Sequence, residues 1–360
     1  MISRRFFLST AGVCVASGFL PGFGFAAASS LPPMAKVQPV TDRYFGQEIV
    51  DSYRWMENAA DPDWLPFLRG QNAYAREVLD AIPGRSGLQR RILELSSSTG
   101  SAFNIKRSGP NLFYLKRLAG SSKPRLYTRN LEGGAERLLV DPDTWPGEAN
   151  AIDTEFSVSP NGRLLLFGID QGGREMPVYQ LIDTVTGKLL DDRIDRSFTG
   201  DKPSIHWLPD SSGFFYAQFA EGRQPSAANM FEDTPLRYHH IGDAQKGDAY
   251  IVRRDNSSPF PLQPTEWLMI TTSPDSATAI LTVGDGVGRY FRLYSAPVAA
   301  VVAGTAKWTA IAGYEDQIAD FALRGDSLYL VTTKDNPRGS LRRTSARKPS
   351  LLTAARRLAA

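Results

Sequence analysis

Cysteine is almost absent from this sequence of 360 residues, since Cys14 is the only one. It lies in an apolar N-terminal leader, so a chain that has lost the leader would contain no disulfide, no thiolate nucleophile and no cysteine metal site. Histidine is scarce as well, with three residues at His206, His239 and His240. These shortages exclude cysteine-dependent catalysis from the processed chain and leave few side chains for metal or general-base chemistry.

Long apolar runs and a strong charge of one sign are also missing. No run after the leader approaches the ~20 residues that a membrane-spanning helix needs, so we expect no membrane span. The formal net charge is +3, but Arg4 and Arg5 lie in the leader, and seven Lys or Arg residues follow Asp335, where no acidic residue occurs. Of the 41 basic residues, 32 therefore remain against 38 acidic residues between positions 6 and 335. This mildly acidic body argues against a nucleic-acid partner.

The N-terminal leader has the composition of an export signal. Ser3-Arg4-Arg5-Phe6-Phe7-Leu8 is followed by an uncharged, largely apolar run that ends at Ala26-Ala27-Ala28. The adjacent arginines resemble the twin-arginine signal of bacteria, and a general export signal with two arginines at its positive end is the alternative. We expect residues 1–28 to act as this signal and the protein to be periplasmic or secreted.

Residues 35–97 are predicted to form a helical segment. Asp61 is a good N-cap residue and Pro62 suits the first helical position, so we expect a helix from there to Ile82. Pro83-Gly84 ends this helix, and a second one is predicted at about 86–95. Both helices carry apolar residues along one face, and such faces need a partner surface.

From about residue 100 to residue 345 the pattern changes to short strands separated by Gly, Pro, Asn and Asp turns. Similar strand–turn–strand segments have their turns at Pro160, Pro209, Pro274 and, more weakly, Gly325. A spacing of about 50 to 65 residues with about four strands per repeat is typical of a β-propeller, and unrelated hairpins in a sandwich are the alternative. We count roughly five blades, the last incomplete, at about 104–145, 155–190, 204–252, 268–311 and 320–345.

Several short motifs agree with those of one peptidase family. They are Asp51-Ser52-Tyr53-Arg54-Trp55-Met56-Glu57, Gln71-Asn72, Leu126-Tyr127, Ser159-Pro160-Asn161-Gly162, Gly213-Phe214-Phe215-Tyr216, Tyr238-His239-His240 and Lys334-Asp335-Asn336-Pro337-Arg338-Gly339. From about Val37 to about Leu352 the chain resembles the N-terminal half of prolyl oligopeptidase-type serine peptidases. The resemblance implies a mainly β chain, namely an incomplete β-propeller with about five of seven four-stranded blades. It also implies that the preceding α-helical segment packs on an α/β-hydrolase domain.

In that family the hydrolase domain carries a Ser-Asp-His triad and lies C-terminal to the propeller, which limits entry to short peptides. The hydrolase domain is missing from these 360 residues, and no Gly-x-Ser-x-Gly nucleophile elbow occurs in them. A triad needs a nucleophile, a base and an orienting carboxylate in one geometry. We therefore assign no catalytic, cofactor-binding or metal residue and expect no cofactor.

The residues that look functional have structural interpretations. His206 is expected to be a packed or hydrogen-bonded core residue, and His239 and His240 alternate along a strand, so they cannot both face one metal. No helix follows Asp170-Gln171-Gly172-Gly173-Arg174, which predicts a hairpin loop rather than a phosphate site. Two acidic pairs are expected to be solvated loop charges: Asp191-Asp192 and Glu232-Asp233.

The leading hypothesis is the N-terminal part of an exported serine peptidase of this type, inactive alone, whose complete form would hydrolyse short proline-containing peptides. The alternative is a stand-alone propeller that binds a peptide or a protein. Open blade edges would favour self-association. The basic tail, residues 346–360, is interpreted as a truncated or frame-shifted end rather than a nucleic-acid or membrane patch, because it lacks interleaved aromatic residues.

Overall fold

The computed structural model describes residues 31–147, 150–173, 176–197, 205–223, 227, 229–255 and 258–350. The predicted export signal and the end of the basic tail lie outside these ranges, so what the sequence predicts for them stays a prediction. The chain divides into two compact units, Met1–Ser98 and Thr99–Ala360. Within the described ranges, no helix is both long enough and apolar enough to cross a membrane.

The described part of the first unit contains a hairpin and two helices. Strands β1 (Val40–Tyr44) and β2 (Gln47–Asp51) pair antiparallel, and a 3₁₀ turn follows at Arg54–Glu57. Helix α1 spans Trp64–Asp80 and helix α2 spans Arg85–Ser97. The segment therefore has the two expected helices, and it opens with a hairpin that the sequence pattern did not predict.

The aromatic motif after β2 is the packed centre of this unit. Trp55 is 6% exposed, and its ring meets Phe67 of α1 edge-on with 5.6 Å between centroids. The neighbouring Arg54 donates hydrogen bonds to Asp42 in β1 and to Asp51 in β2. The motif thus joins the hairpin to the first helix, and its role within this unit is structural.

Helix α1 begins later than predicted, at Trp64. The side chain of Asp61 does not cap the helix. Its Oδ1 accepts a hydrogen bond from the backbone N–H of Asp63 at 2.9 Å and so closes a turn that precedes the helix. Neither α1 nor α2 has a fully buried residue, and Leu65 and Leu68 of the predicted apolar face are 44% and 43% exposed. That a hydrolase domain covers these faces stays a prediction.

The second unit consists of five antiparallel sheets that follow one another along the chain. The strands of the first and second sheets are β3 (Ser101–Ser108), β4 (Asn111–Arg117), β5 (Pro124–Asn130), β6 (Arg137–Val140), β7 (Asn150–Val158), β8 (Leu164–Gln171), β9 (Val178–Asp183) and β10 (Leu189–Ile194). Those of the third and fourth are β11 (His206–Trp207), β12 (Gly213–Ala217), β13 (Leu236–His240), β14 (Ala249–Val252), β15 (Glu266–Thr271), β16 (Thr278–Asp285), β17 (Phe291–Pro297) and β18 (Thr309–Ala312). The fifth sheet has three described strands, β19 (Ile318–Arg324), β20 (Ser327–Thr332) and β21 (Ser340–Ser345), and helix α3 (Val298–Val302) connects β17 to β18.

In each sheet a short turn joins the first strand to the second. The four turns predicted from the repeats hold this position in the second to fifth sheets, and Gly109-Pro110-Asn111 extends the series to the first sheet. Neighbouring turns are bonded to one another. Ser108 Oγ donates to the Ser159 carbonyl at 3.0 Å, and the Asn161 N–H donates to Ser211 Oγ at 3.2 Å. The turns therefore lie at one end of successive sheets.

Consecutive sheets pack face to face through four apolar clusters, each drawn from two neighbouring sheets. In β12, for example, Phe214 and Tyr216 contact the second sheet, whereas Phe215 contacts the fourth. Because successive strand residues point to opposite faces, a strand between two sheets must be apolar on both sides. A sandwich has one interior between two sheets, so this serial packing confirms the predicted incomplete β-propeller.

Candidate functional site

The three histidines of the chain occupy different environments. His206 begins β11 and is partly buried. The side chain of His239 in β13 has no exposed surface, whereas that of His240 is 56% exposed. The last two residues therefore point to opposite faces of the sheet, as the alternation along a strand predicts.

His239 lies between two carboxylates that come from different sheets. Its Nδ1 is 2.9 Å from Asp248 Oδ1, and its Nε2 is 3.0 Å from Asp192 Oδ1. Asp192 belongs to β10 of the second sheet, and Asp248 immediately precedes β14 of the third. The carboxylates are 2% and 1% exposed. We call these three side chains the buried histidine cluster, and it joins the second sheet to the third.

The prediction that Asp192 is a solvated loop charge is wrong. The residue lies in a strand whose side chains alternate between exposed and buried, and its position faces the third sheet. There Asp192 Oδ1 also accepts the Gly242 N–H at 2.6 Å, so the buried carboxylate is satisfied. Asp191, one position earlier, is exposed as predicted.

The second acidic pair, Glu232-Asp233, lies in a loop as predicted, but its charges are paired. Asp233 accepts a hydrogen bond from Arg223 at 2.7 Å and another from Arg254. Glu232 lies 4.0 Å from Arg223. The pair is therefore part of a local ion-pair network, because the loop brings two guanidinium groups to the Asp233 carboxylate.

The buried histidine cluster controls the protonation of its members. Burial alone would lower the pKa of His239, but hydrogen bonds to Asp192 and Asp248 outweigh burial and raise it to about 9. The Tyr216 hydroxyl donates to Asp248 Oδ2 at 2.7 Å, and burial beside this carboxylate raises the pKa of Tyr216. At neutral pH the imidazole therefore carries both protons and donates to both carboxylates.

This geometry excludes His239 from acid–base chemistry on an external substrate. A triad histidine keeps one ring nitrogen for the orienting carboxylate and the other for the nucleophile. Both nitrogens of His239 face carboxylates, and its side chain has no exposed surface. Nor does the described part of the chain contain a group of three His, Cys, Asp or Glu side chains that could hold a metal ion. That the chain lacks catalytic, cofactor-binding and metal residues stays a prediction.

The glycine-rich loop after Asp170 lies between two strands, as its sequence predicts. Gly172 and Gly173 adopt positive φ angles of 73° and 69° in the connection from β8 to β9. Among the described residues of this connection no helix N-terminus follows the glycines, which is the feature that a helix-based phosphate site needs. Arg174 of the same motif lies outside the described residues.

A second buried ionic group has no counterpart among the sequence predictions. Glu266 in β15 accepts hydrogen bonds from Arg292 in β17 and from the Tyr314 hydroxyl, each at 2.7 Å. The side chains of Glu266 and Arg292 are 4% and 17% exposed. We call these three side chains the buried glutamate cluster. The sequence offers one indication of this cluster, an acidic residue at the start of the apolar run Trp267-Leu268-Met269-Ile270. It does not indicate which residues pair with Glu266, because they lie 26 and 48 positions away along the chain.

Open grooves on the described part of the second unit include the following two. The first, of about 880 Å³, is bordered by the turns of the third and fourth sheets and by α3. The second, of about 620 Å³, is lined by residues of the second sheet and of the segment before it, including Trp145, Asp170 and Arg193. Neither of these two grooves is lined by His239.

Five consecutive antiparallel sheets with apolar clusters between neighbours define the class of this unit as a β-propeller. The description "Prolyl oligopeptidase, N-terminal beta-propeller domain" matches residues 32–353, which is most of the chain. The chain belongs to the prolyl oligopeptidase family and represents its N-terminal propeller portion.

Relatives agree with this assignment. The chain is 24% identical over 339 residues to the prolyl endopeptidase of Elizabethkingia meningoseptica, covering 92% of this chain and 46% of that protein. It is 24% identical over 336 residues to the prolyl endopeptidase of Elizabethkingia miricola, covering 91% and 45%. The chain thus spans about half the length of the curated relatives it matches.

Solved structures show the same fold. A prolyl endopeptidase structure superposes with a TM-score of 0.74 at 25% identity and covers 88% of this chain and 45% of the other. Oligopeptidase B from Leishmania major superposes with a TM-score of 0.70 at 17% identity, covering 91% and 46%. At the latter identity the likeness supports the fold alone.

Proposed function

We propose that this chain is the propeller portion of a serine peptidase whose complete form hydrolyses short proline-containing peptides. The observation that supports this most is the match to prolyl endopeptidases over about half of their length. In the complete enzyme the propeller would admit short peptides and exclude folded proteins. Hydrolysis would require a Ser-Asp-His triad, which a hydrolase domain C-terminal to the propeller would supply.

The chain alone is expected to show no peptidase activity. Both ring nitrogens of the buried His239 face carboxylates, and the sequence lacks a nucleophile elbow. We would assay the purified chain on a chromogenic peptide that releases p-nitroaniline after proline, and label it with a fluorophosphonate probe. The prolyl endopeptidase of Elizabethkingia meningoseptica serves as the positive control. Turnover that follows the protein through chromatography and disappears with the serine-directed probe would disprove the proposal.

The chain alone is also expected to self-associate, because the fifth sheet has three described strands where each of the other four sheets has four. Strand β21 pairs with β20, and no other described strand pairs with it. An unpaired strand edge is a template for a strand of another molecule. Light scattering coupled to size exclusion should show a mass that rises with concentration.

A matched pair of variants tests the role of this edge. Leu341→Lys places a charge on β21, where Leu341 is 44% exposed, and should reduce association. Val185→Lys adds the same charge at a 71% exposed position in the second sheet's connection and should leave association unchanged. A wild-type chain that stays monomeric at every concentration would contradict the open edge and favour the stand-alone binding module.

A further inference from the structure

The groove between the third and fourth sheets combines an apolar floor with an acidic rim. Leu208, Tyr238 and Val302 contribute apolar surface to its lining, and the space measures about 880 Å³. Asp210 and Asp275 lie at the rim, each after a proline in the first turn of its sheet. None of the described residues that line the groove is a lysine or an arginine.

Local hydrogen bonds hold both rim carboxylates in their ionised form. Asp210 Oδ1 accepts the N–H and the hydroxyl of Ser212 at 3.0 and 2.7 Å, which lowers the pKa of Asp210. Asp275 accepts from the Ser273 hydroxyl and from the backbone N–H of Gly325, which lowers its pKa as well. The charges of His240 near Asp210 and of Arg324 near Asp275 lower the pKa of the respective carboxyl group further. The rim therefore presents two carboxylates that are ionised at neutral pH, and among the described residues no Lys or Arg lines the groove.

Helix α3 forms one wall of this groove. It occupies the connection from β17 to β18, whereas the equivalent connections in the first and second sheets, 131–136 and 184–188, contain no helix and that in the third sheet contains a 3₁₀ turn at Gln245–Gly247. Val301 of α3 is buried in the cluster between the third and fourth sheets, and Val302 packs against that cluster while lining the groove. The wall is thus anchored in the core.

We propose that this groove binds an extended peptide from outside the chain that carries apolar side chains next to a lysine or arginine. Apolar side chains would cover the floor, and the cationic side chain would reach the carboxylates of Asp210 and Asp275. A nucleic acid is excluded because its phosphates would meet these charges. The inference goes beyond the proposed function, since it concerns the binding of a peptide to this groove rather than its hydrolysis.

The binding test uses the full chain and a fluorescein-labelled probe peptide, Ala-Val-Pro-Leu-Arg-Ala, with capped ends. A second probe has glutamate in place of arginine. Fluorescence anisotropy should show binding of the arginine probe that weakens with added salt, and at least roughly tenfold weaker binding of the glutamate probe. Equal affinity for both probes, or no binding of the arginine probe, would overturn the proposal.

Variants place the binding in the groove. Asp210→Asn with Asp275→Asn retains oxygens that accept the turn hydrogen bonds and should weaken the arginine probe about tenfold. Ala299→Trp, at an exposed position of α3 that lines the groove, should block binding while circular dichroism and the melting temperature stay near wild type. Glu132→Gln removes an exposed carboxylate elsewhere and should change affinity less than about twofold. Wild-type affinity in the double variant would refute the assignment.

The assignment would also be refuted if a second copy of this chain filled the groove. In that case the chain would be a dimer, and Ala299→Trp would convert it to a monomer.

Discussion

Replacing His239 by alanine is expected to lower the free energy of unfolding of the second unit by about 3–5 kcal/mol. The substitution leaves Asp192 and Asp248 buried without the cation that they share. It also removes the packing of the imidazole on Phe214, whose ring centroid lies 5.1 Å away. Urea unfolding followed by tryptophan fluorescence measures the change.

The neighbouring histidine provides the control for this experiment. His240→Ala removes an exposed side chain on the opposite face and should change stability by less than about 0.5 kcal/mol. A double-mutant cycle with Asp192→Asn should show that the double variant loses less stability than the two single variants together, because both remove one interaction. Equal effects of His239→Ala and His240→Ala would contradict the structural role of the buried histidine cluster.

The same cluster predicts how stability depends on pH. The pKa of His239 rises from roughly 6.5 in the unfolded chain to about 9 in the folded one. The folded state therefore holds the extra proton, and this contribution is complete below pH ~6.5 and is lost as the pH rises through about 9. Burial alone would raise the pKa of Asp192, but hydrogen bonds from His239 and Gly242 hold it below its usual range, so its contribution is lost in acid.

Wild-type stability should consequently fall between pH ~6.5 and ~9 by an amount on the order of 3 kcal/mol. In His239→Ala this part of the decline should disappear. Denaturation midpoints measured at several pH values test the expectation, and parallel profiles for the two proteins would show that His239 does not hold the proton.

Replacing Glu266 by alanine is the second large expected effect, a loss of about 3 kcal/mol in the free energy of unfolding. The change removes the only carboxylate that Arg292 meets in a described ion pair, and the guanidinium is mostly buried. It also removes the acceptor of the Tyr314 hydroxyl and leaves a space beside β15. Because Tyr314 precedes the fifth sheet, we expect the loss to weaken the junction of the fourth and fifth sheets.

An exposed ion pair of the same unit serves as the comparison. Lys123 Nζ lies 2.9 Å from Asp143 Oδ1, and the two side chains are 36% and 46% exposed. Lys123→Ala should cost less than about 1 kcal/mol, since water and salt screen such pairs. If urea unfolding showed that Glu266→Ala and Lys123→Ala lower the free energy of unfolding equally, the buried glutamate cluster would stabilise this fold no more than an exposed ion pair does.

The features that the sequence predicted correctly depend on neighbours in the chain. A Pro-Asn or Pro-Asp turn between short apolar strands specifies a hairpin locally, and its recurrence at Pro160, Pro209 and Pro274 reveals the propeller. The start of α1 was harder to place because the Asp61 carboxylate can cap either a helix or the turn before it, and both need the same residue type.

By itself, the sequence determined the class of fold, the family and the scarcity of groups for catalysis, since these follow from repeats, motifs and composition. Only the tertiary structure decided which charges are buried. Asp192 and His239 are 47 residues apart and lie on different sheets. Nothing local to Asp191-Asp192 distinguishes the exposed carboxylate from the buried one. Face-to-face packing of the second and third sheets makes that distinction, because it removes water from one side of β10 and places an imidazole there instead.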